Sequence, residues 1–274
     1  QLNNPAGIDV CQPRLSWRIE SDEQNVIQTA NHILVASSPE LLEQGKGDIW
    51  DSGKIESDAS QWITYQGKTL KCNAPYYWKV KIDTNKGATN WSALAFWTTG
   101  LFNEADWQGQ WIGLDRAALG DSETQWSRLA ARYLRKEFAV KKSVKRATVH
   151  IAGMGLYELF INGQRIGNQV LAPAPTDYRK TILYNTYDVT SLLQTENAIG
   201  VTLGNGRFYT MRQNYKPYKI PTFGYPKLRL NLIVEYADGS KETIATNTSW
   251  KLTTEGPIRS NNEYDGEEYD ARKE

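Results

Sequence analysis

Hydrophobic and polar residues alternate one by one over much of the chain, which is the spacing of a β-strand. In residues 75–84, one face carries Tyr76, Trp78, Val80 and Ile82, and the other carries Lys79, Lys81 and Asp83. Only the stretch SSPELLEQ, Ser37 to Gln44, has the composition of a helix, with one or two turns and Ser37 or Ser38 as its cap. The pattern therefore predicts an all-β protein.

Short predicted strands follow one another closely in the first hundred residues. PRLSWRI, residues 13–19, places Leu15, Trp17 and Ile19 on one face. NHILVASS, DIWDSGKI and SQWITYQG come next, and the hairpin loop TNKGATNW leads to the return strand ALAFWTT. Strands about 8–12 residues apart with turns between them predict a β-sandwich. Residues 1–100 resemble a fibronectin type III or immunoglobulin-like domain, because the final YYWKV…W strand pair is typical of that group.

A second strand-rich region follows, which we predict to span residues 101–274. YELFINGQRIG carries Asn162-Gly163 between two alternating runs, the strongest short hairpin signal, and LRLNLIVEYADGSKETIAT repeats it with Asp238-Gly239. The strand before Asp238 places Leu228, Leu230, Leu232, Val234 and Tyr236 on one face, and Arg229, Asn231 and Glu235 on the other. Many antiparallel strands in a region of this size predict a jelly-roll β-sandwich.

Length and charge exclude several classes of partner. The 274 residues suggest two domains, and 32 Lys and Arg against 31 Asp and Glu give a formal net charge of +1. A nucleic-acid-binding protein carries a basic footprint that this balance does not supply. The sequence has no polybasic run, and no apolar stretch approaches the roughly 18 residues needed to span a bilayer. We therefore predict no membrane partner.

Two features near the start of the chain leave alternatives open. The chain begins with Gln1, without a charged and apolar leader, so either a signal peptide has been removed or the sequence starts inside a longer gene. Cys11 and Cys72 can form a disulfide or remain two free thiols, and they do not define the compartment.

Aromatic residues are biased toward rings with a polar group, with 10 Trp and 15 Tyr against 6 Phe. Such rings suit sugar stacking and interfaces, but they are also common in ordinary β-rich domains. The segment 205–226 interleaves Phe208, Tyr209, Tyr215, Tyr218 and Tyr225 with Arg207, Arg212, Lys216 and Lys219. It is either a contact surface for a neighbouring domain or a carbohydrate surface.

Other catalytic and cofactor motifs are weak. Gly153-x-Gly155 lacks the third glycine of a dinucleotide loop and precedes a strand, and GNGRF (204–208) indicates a loop with positive φ. The two histidines, His32 and His150, lie in different predicted domains, and no Cys-x-x-Cys occurs, which argues against zinc. We predict no cofactor, and calcium held by Asp, Asn and backbone oxygens stays open. A Ser-His-Asp arrangement also lacks its nucleophile-elbow pattern.

The last residues, NEYDGEEYDARKE (262–274), concentrate carboxylates around two tyrosines. The carboxylates are Glu263, Asp265, Glu267, Glu268, Asp270 and Glu274. Glycoside hydrolases use a pair of carboxylates, one of them an acid with a raised pKa. A terminal segment encloses no pocket, so we predict no catalysis by this tail.

An ordered set of motifs in the second region identifies a family. Ile161-Asn162-Gly163 with Gly167 comes first. Leu171-Ala172-Pro173, Thr176-Asp177-Tyr178, Tyr187-Asp188-Val189-Thr190, Glu196-Asn197-Ala198-Ile199-Gly200 and the closing YDGEEYDAR follow in order. Together they resemble the amino-terminal half of bacterial α-L-rhamnosidases, and residues 1–100 resemble the immunoglobulin-like module that often precedes it.

The resemblance implies a parent glycoside hydrolase that removes terminal α-L-rhamnose, with inversion, from plant glycosides or polysaccharides. The family's acid and base are two glutamates on an (α/α)₆ barrel that follows YDGEEYDAR, so no catalytic residue can be assigned here. The leading hypothesis is a non-catalytic front end that scaffolds this barrel, its partner in the parent chain. A substrate of this kind also implies a periplasmic or secreted protein.

The alternative hypothesis is a binding module for rhamnose-containing glycans, with Asp177, Asn205, Arg207 and Tyr209 as ligand-binding residues. The sequence departs from relatives that bind rhamnose through calcium. It has Pro173-Ala174-Pro175-Thr176 where they often have Pro-Gly-Trp-Thr, and Arg207-Phe208 where they have Trp-Tyr. Two ring platforms are therefore missing. A third hypothesis is a cell-surface adhesion protein made of β-sandwiches.

Overall fold

The structure is a computed structural model that describes residues 3–116, 129–209, 223–263 and 266–274. It divides into two compact units, residues 1–106 and 107–274. Strands make up nearly all of the regular structure in both units, so the predicted all-β fold class is confirmed. Among the described residues, we find no helix of the length and apolar character needed to cross a membrane.

The described part of the first unit contains seven strands and one short helix. They are β1 (Arg14–Leu15), β2 (Gln28–Ala36), α1 (Pro39–Glu43), β3 (Trp50–Glu56), β4 (Ile63–Thr64), β5 (Pro75–Thr84), β6 (Gly87–Ala88) and β7 (Ala95–Thr98), followed by a 3₁₀ turn at Glu104–Asp106. The main antiparallel sheet has the order β3-β2-β5-β6, with β7 also paired to β5, and β1 pairs with β4. This is the predicted sandwich type.

Strand β5 organises the core of this unit as its alternation predicts. Tyr76, Val80 and Ile82 are buried in one apolar cluster, where the Tyr76 ring stacks on Trp97 at 5.6 Å between centroids. The predicted return strand is confirmed, because β7 pairs with β5. The predicted hairpin loop is too long, because Gly87 and Ala88 within it form β6, which also pairs with β5. The helix is confirmed as well, with Ser38 in the N-cap position and Leu42 buried.

The structure corrects one expectation for the first unit and decides between two alternatives for another. The predicted strand over 13–19 is wrong in length, since pairing ends at Leu15 and Ile19 is exposed. Beyond Leu15, the backbone N–H of Trp17 donates to the Ser60 carbonyl of a loop instead of a neighbouring strand. Cys11 and Cys72 are both free thiols, so the disulfide alternative is not realised.

The second unit contains twelve strands among its described residues. They are β8 (Ile112–Gly113), β9 (Arg132–Ala139), β10 (Val144–Met154), β11 (Leu156–Ile161), β12 (Gln164–Ile166), β13 (Tyr184–Asp188), β14 (Glu196–Gly204), β15 (Lys227–Tyr236), β16 (Lys241–Ala245), β17 (Lys251–Thr253), β18 (Ile258–Asn262) and β19 (Gly266–Tyr269). Two 3₁₀ turns occupy Thr190–Leu192 and Ala271–Lys273.

These strands form two antiparallel five-stranded sheets and a separate hairpin. We call the first the β10 sheet, with the order β13-β10-β15-β16 and β8 on β15, and the second the β14 sheet, with the order β12-β11-β14-β9-β17. Strands β18 and β19 pair with each other. Two sheets face to face are the predicted jelly-roll sandwich.

The core of the second unit lies between the two sheets. Leu228, Leu230 and Leu232 of β15 are fully buried, as their period-two spacing predicts. They share one apolar cluster with Val201 and Leu203 of β14. Each such side chain contributes about 1.5–3 kcal/mol on transfer from water, so this cluster provides the main stabilisation of the sandwich.

The two predicted hairpins form with different turns. Between β11 and β12, Asn162 and Gly163 have φ of 51° and 80°, which is the two-residue turn that matches the twist of the strands. Between β15 and β16 the connection is longer: Gly239 has φ 83°, and the Asp238 carboxylate accepts from the backbone N–H of Ser240. The hairpin prediction is confirmed at both positions.

Candidate functional site

A cleft lies where β14 ends, and we call it the end cleft. Its volume is ≈ 620 Å³. The apolar part of its lining includes Leu156, Val170, Leu171, Pro175 and Ile258, and the charged part is Glu158, Arg165, Arg207, Glu263 and Glu267. Strands β11 and β12 supply one side, and the β18–β19 hairpin supplies the other.

Two ion pairs flank the end cleft. Arg165 Nε donates to Glu158 Oε1 at 3.0 Å, and Arg207 donates through Nη1 to Glu263 Oε1 at 2.5 Å. All four side chains remain partly exposed, so each pair contributes only about 0–1 kcal/mol to stability. The arrangement presents fixed donors and acceptors beside an apolar surface, which is the chemistry that recognises a polyhydroxylated ring.

The loop beside the end cleft presents apolar side chains to solvent. Val170 is 81% and Leu171 73% exposed, and both line the cleft. Leu171 has φ 56°, a left-handed conformation that costs about 1–3 kcal/mol for a bulky residue. The strained residue, Leu171, lies where the loop meets the cleft. Backbone strain of this kind clusters at ligand-binding positions.

Arg207 is the predicted site residue that lines the end cleft. Its neighbour Asn205 is only 2% exposed and has a positional role. The Asn205 amide Nδ2 donates to the carbonyls of Leu129 and Asn261, and its backbone N–H donates to Asn261 Oδ1 at 2.7 Å. These bonds tie the loop after β14 to β18, and so they hold Arg207 opposite Glu263.

The other two predicted residues lie in different surroundings. Tyr209 is 7% exposed, and its ring stacks on Tyr225 at 5.8 Å. Asp177 is more open and accepts from Arg179 Nε at 3.0 Å, a contact that lowers the pKa of its carboxyl group. Neither residue is part of the described lining of the end cleft. A ligand-binding role for these four residues remains a prediction.

The pair Glu158–Arg165 was not predicted, although the sequence contains its signal. A two-residue Asn162-Gly163 turn places Phe160 opposite Arg165, as observed, and Glu158 then lies on the same face two residues earlier. Glu263 was predicted only as one of the terminal carboxylates. Its pairing with Arg207 joins residues 56 positions apart, and no local pattern indicates it.

Over its described part, the carboxylate tail forms strand β19, which pairs with β18, and then the 3₁₀ turn Ala271–Lys273. Glu267 lines the end cleft, and Glu268 accepts from Ser260 Oγ. Asp270 accepts two bonds from the Arg272 guanidinium, which lowers the pKa of its carboxyl group to about 2. A carboxyl group held in this way stays ionised and cannot donate a proton near neutral pH. Tyr264 and Asp265, like most of the ring-rich segment (residues 210–222), lie outside the described residues.

We find no metal centre in the ranges that the structure describes, since no three His, Cys, Asp or Glu side chains cluster there. His32 bonds Asp51 in the first unit, with Nε2 and Oδ1 2.6 Å apart. His150 is fully buried in the second unit, where its Nδ1 lies 2.9 Å from Thr186 Oγ1. The two histidines thus belong to separate units, as predicted.

Comparisons with known proteins agree on one family. The model of the α-L-rhamnosidase N-terminal domain matches residues 142–274, and that of the Rha78A-like, N-terminal immunoglobulin domain matches residues 1–103. An α-L-rhamnosidase of Formosa agariphila is 37% identical over 292 residues, which cover 99% of this chain and 30% of the relative. Another from the same organism is 39% identical over 279 residues, 100% of this chain and 30% of the relative.

Solved structures give the same result. The α-L-rhamnosidase of Dictyoglumus thermophilum matches with a TM-score of 0.88 and 41% identity, covering 99% of this chain and 30% of that one. A Streptomyces avermitilis α-L-rhamnosidase complexed with L-rhamnose also gives a TM-score of 0.88, at 25% identity, covering 100% of this chain and 42% of that one.

The chain consists of an immunoglobulin-like sandwich followed by a jelly roll, and the comparisons match both in this order. It is therefore an N-terminal β-region of a glycoside hydrolase. More narrowly, the region that this chain matches is the N-terminal part of α-L-rhamnosidases. The chain spans about 30% of the length of the first curated relatives, in which this region is part of a larger chain. The resemblance found in the motifs is confirmed.

Proposed function

We propose that this chain is the non-catalytic N-terminal part of an α-L-rhamnosidase and scaffolds the rest of the enzyme. One observation carries the proposal: α-L-rhamnosidases match 99–100% of this chain, yet the match covers only 30% of the two Formosa relatives. The remaining length of such a protein is where its catalytic domain would lie. The parent activity is removal of terminal α-L-rhamnose with inversion.

The chemistry of the end cleft supports a non-catalytic role. Glycosidic cleavage needs two carboxyl groups roughly 5–10 Å apart, one of which holds a proton at the working pH. In the end cleft, the carboxylates of Glu158 and Glu263 are each held in an ion pair with an arginine, so both already have a fixed hydrogen-bond donor. The cleft is therefore better suited to binding than to proton transfer.

The test compares this chain with the full open reading frame on p-nitrophenyl α-L-rhamnoside. We expect turnover by the full protein and none by the 274-residue chain. Turnover by the chain alone would overturn the proposal.

We also propose that the parent protein is periplasmic or secreted, because large glycans are encountered outside the cytoplasm. Cell fractionation with an antibody against the chain tests this proposal.

A second candidate function is a binding module for rhamnose-containing glycans. The end cleft favours it, because two ion pairs stand beside an apolar floor that suits the methyl group of a 6-deoxy sugar. Calorimetry with L-rhamnose, with and without calcium, tests the idea. Arg207→Ala should abolish the heat of binding and Arg179→Ala should not, since Arg179 is outside the described cleft lining. Absence of heat at millimolar sugar rejects this function.

A further inference from the structure

The outer face of the β14 sheet carries a groove that is distinct from the end cleft. We propose that this groove binds an acidic oligosaccharide of the uronate-containing class, with a sugar ring over Gly200 and a carboxylate on Arg135 and Lys251. The inference rests on the proposed function in one respect, since a glycan-degrading parent enzyme would bring such chains to this surface.

The pairing register places the side chains of the groove in one row. Phe160, Gly200, Arg135 and Lys251 are direct partners across β11, β14, β9 and β17, and Arg165 of β12 lies opposite Phe160. Direct partners point to the same face of a sheet. Because neighbouring strands are about 4.8 Å apart, Phe160 and Arg135 stand roughly 10 Å apart with the glycine between them.

The space above this row has the size of a ligand site. The groove holds ≈ 620 Å³ and is lined by Phe160, Gly200, Arg135 and Lys251 among others. A smaller cavity of ≈ 140 Å³ adjoins it and shares Arg135 and Lys251. Sites for small ligands measure about 300–1,000 Å³, whereas a stable protein contact uses about 800 Å² of surface per partner with few charges at its centre.

Gly200 occupies the middle of the groove without a requirement from the fold. Its φ is outside the left-handed region, its strand pairs without a bulge, and an added Cβ would meet only Phe160 Cβ at 3.8 Å. By contrast, a Cβ on Gly204 of the same strand would lie 2.9 Å from Asn261 Oδ1. A strand glycine that the fold does not need often marks the close approach of a ligand.

Charge selects the class of sugar. The row contains three cations, Arg165, Arg135 and Lys251, of which Arg165 is paired with Glu158, and its remaining members are Phe160 and Gly200. Glu137, two residues after Arg135, pairs with it at 2.7 Å and reduces the excess. The smaller cavity is lined by Arg135, Lys136 and Lys251 against the single carboxylate of Glu137, a net charge of +2 from these four side chains (3 − 1). Paired cations recognise a carboxylate through charge-assisted hydrogen bonds.

The groove and the end cleft together fit an oligomer better than a single sugar. Both are lined by Thr202, which lies two residues after Gly200 on the same face of β14. A saccharide that lies along β14 would therefore pass from the cationic row to the ion pairs of the end cleft. The ring of Phe160 offers the apolar face that sugars stack against.

The experiment measures binding of the 274-residue chain to tetragalacturonate and to its fully methyl-esterified, uncharged form by calorimetry. We expect the charged form to bind at least about tenfold more tightly, and increasing salt to reduce the difference. The double variant Arg135→Ala/Lys251→Ala should lose about tenfold in affinity for the charged form, and Gly200→Leu should lose binding of both forms. Lys145→Ala, an exposed lysine of the β10 sheet, is the matched control and should bind as the parent chain does.

Several results would overturn the proposal. They are equal affinity for the two saccharides, unchanged binding by the double variant, or no binding of either saccharide. Should Gly200→Leu not fold, as judged by near-ultraviolet circular dichroism, the double variant decides. Protection of the groove from hydrogen exchange in the full protein without saccharide binding would assign it to a protein contact. The p-nitrophenyl rhamnoside assay of the full protein is independent, so failure of the groove and failure of the proposed function can be told apart.

Discussion

The two sheets of the second unit share one core but differ in what covers their outer faces. On the β10 sheet, residues 107–111 lie over the outer face, where the backbone N–H of Gly109 donates to Asn231 Oδ1 at 2.8 Å. Asn231 and His150 are both 0% exposed there. On the β14 sheet, the equivalent face is the open groove around Gly200. Polar residues on the outer face of the β10 sheet are thus buried and hold the covering segment in place. Those on the outer face of the β14 sheet remain accessible to solvent.

Aromatic rings complete the cover of the β10 sheet. The Arg229 guanidinium lies 5.1 Å from the ring of Trp107 and 6.0 Å from that of Trp111, and its Nε donates to the Gly109 carbonyl at 2.6 Å. Trp107 also meets Tyr184 edge to face at 5.4 Å. Each polar group that this cover buries needs a partner, and the face consequently depends on a few specific contacts.

The largest expected difference between the two faces is in their response to pH. Burial, with a smaller effect of the Arg146 charge, lowers the pKa of His150 from 6.5 to about 4. The unfolded chain therefore binds a proton that the folded chain resists, and stability present above pH 6.5 is lost as the pH falls toward 4. We expect the free energy of unfolding to fall by roughly 3 kcal/mol over this interval.

Urea unfolding of the second unit across this pH range measures the effect. His150→Gln keeps a polar side chain at the site and removes the titration, so its stability should change much less with pH. If the variant shows the same loss as the parent chain, the covered histidine is not its cause.

The next effect concerns the acceptor beneath the cover. Asn231→Ala leaves the Gly109 N–H buried without its partner, and we expect a loss of about 2 kcal/mol in the free energy of unfolding. Thr202→Ala on the open face is the control, with an expected change within about 0.5 kcal/mol. Chemical denaturation of both variants provides the measurement, and equal losses would contradict the comparison.

Replacing glycine by alanine should change the free energy of unfolding in opposite directions on the two faces. Gly109→Ala would bring a Cβ within 2.5 Å of the Leu230 carbonyl oxygen, so we expect destabilisation by about 1–3 kcal/mol. Gly200→Ala has room for its Cβ and removes the backbone freedom of glycine, which should stabilise the unit by about 0.5 kcal/mol. Thermal unfolding of the two variants tests both signs, and destabilisation by Gly200→Ala would show that the open face is under a constraint from the fold.

The smallest expected effect is at the end cleft. Glu263→Gln removes the charge that pairs with Arg207, and because both side chains are partly exposed we expect a change below about 1 kcal/mol. Thermal unfolding at low and high salt checks it, since a surface pair weakens with ionic strength. A loss of several kcal/mol would mean that the pair has a structural role.

The local pattern of hydrophobic and polar residues was sufficient to predict much of the fold. The features that it failed to predict have a common physical cause, contacts between residues far apart in sequence. The alternation in β5 and β15 and the turn at Asn162-Gly163 predicted strands and a hairpin correctly, because the residues that determine them are neighbours in sequence. The complete burial of Asn231 could not be predicted, since it depends on Gly109, which is 122 positions away. Pairing ended early at Leu15 for a related reason, the capture of the following backbone by a distant loop.

The candidate site was predicted in part. Arg207 was chosen from a loop with turn residues and lines the end cleft, whereas Asn205 and Tyr209, chosen from the same loop, are buried. A sequence shows which side chains have useful chemistry, but their exposure depends on what packs against them. The groove was missed because its residues come from separate strands, and only the pairing register brings Arg135 beside Gly200.

The turn at Asn162-Gly163 has a consequence for how the surface of this protein can change. Asn162 is anchored, since its side-chain amide donates to the Leu192 carbonyl and to Asn197 Oδ1, both at 3.0 Å. Insertion of one residue beside it would shift β12 by one position and turn Arg165 to the opposite side. A single codon gained or lost at this bend would therefore remove the Arg165 charge from the end cleft, while the core stays the same.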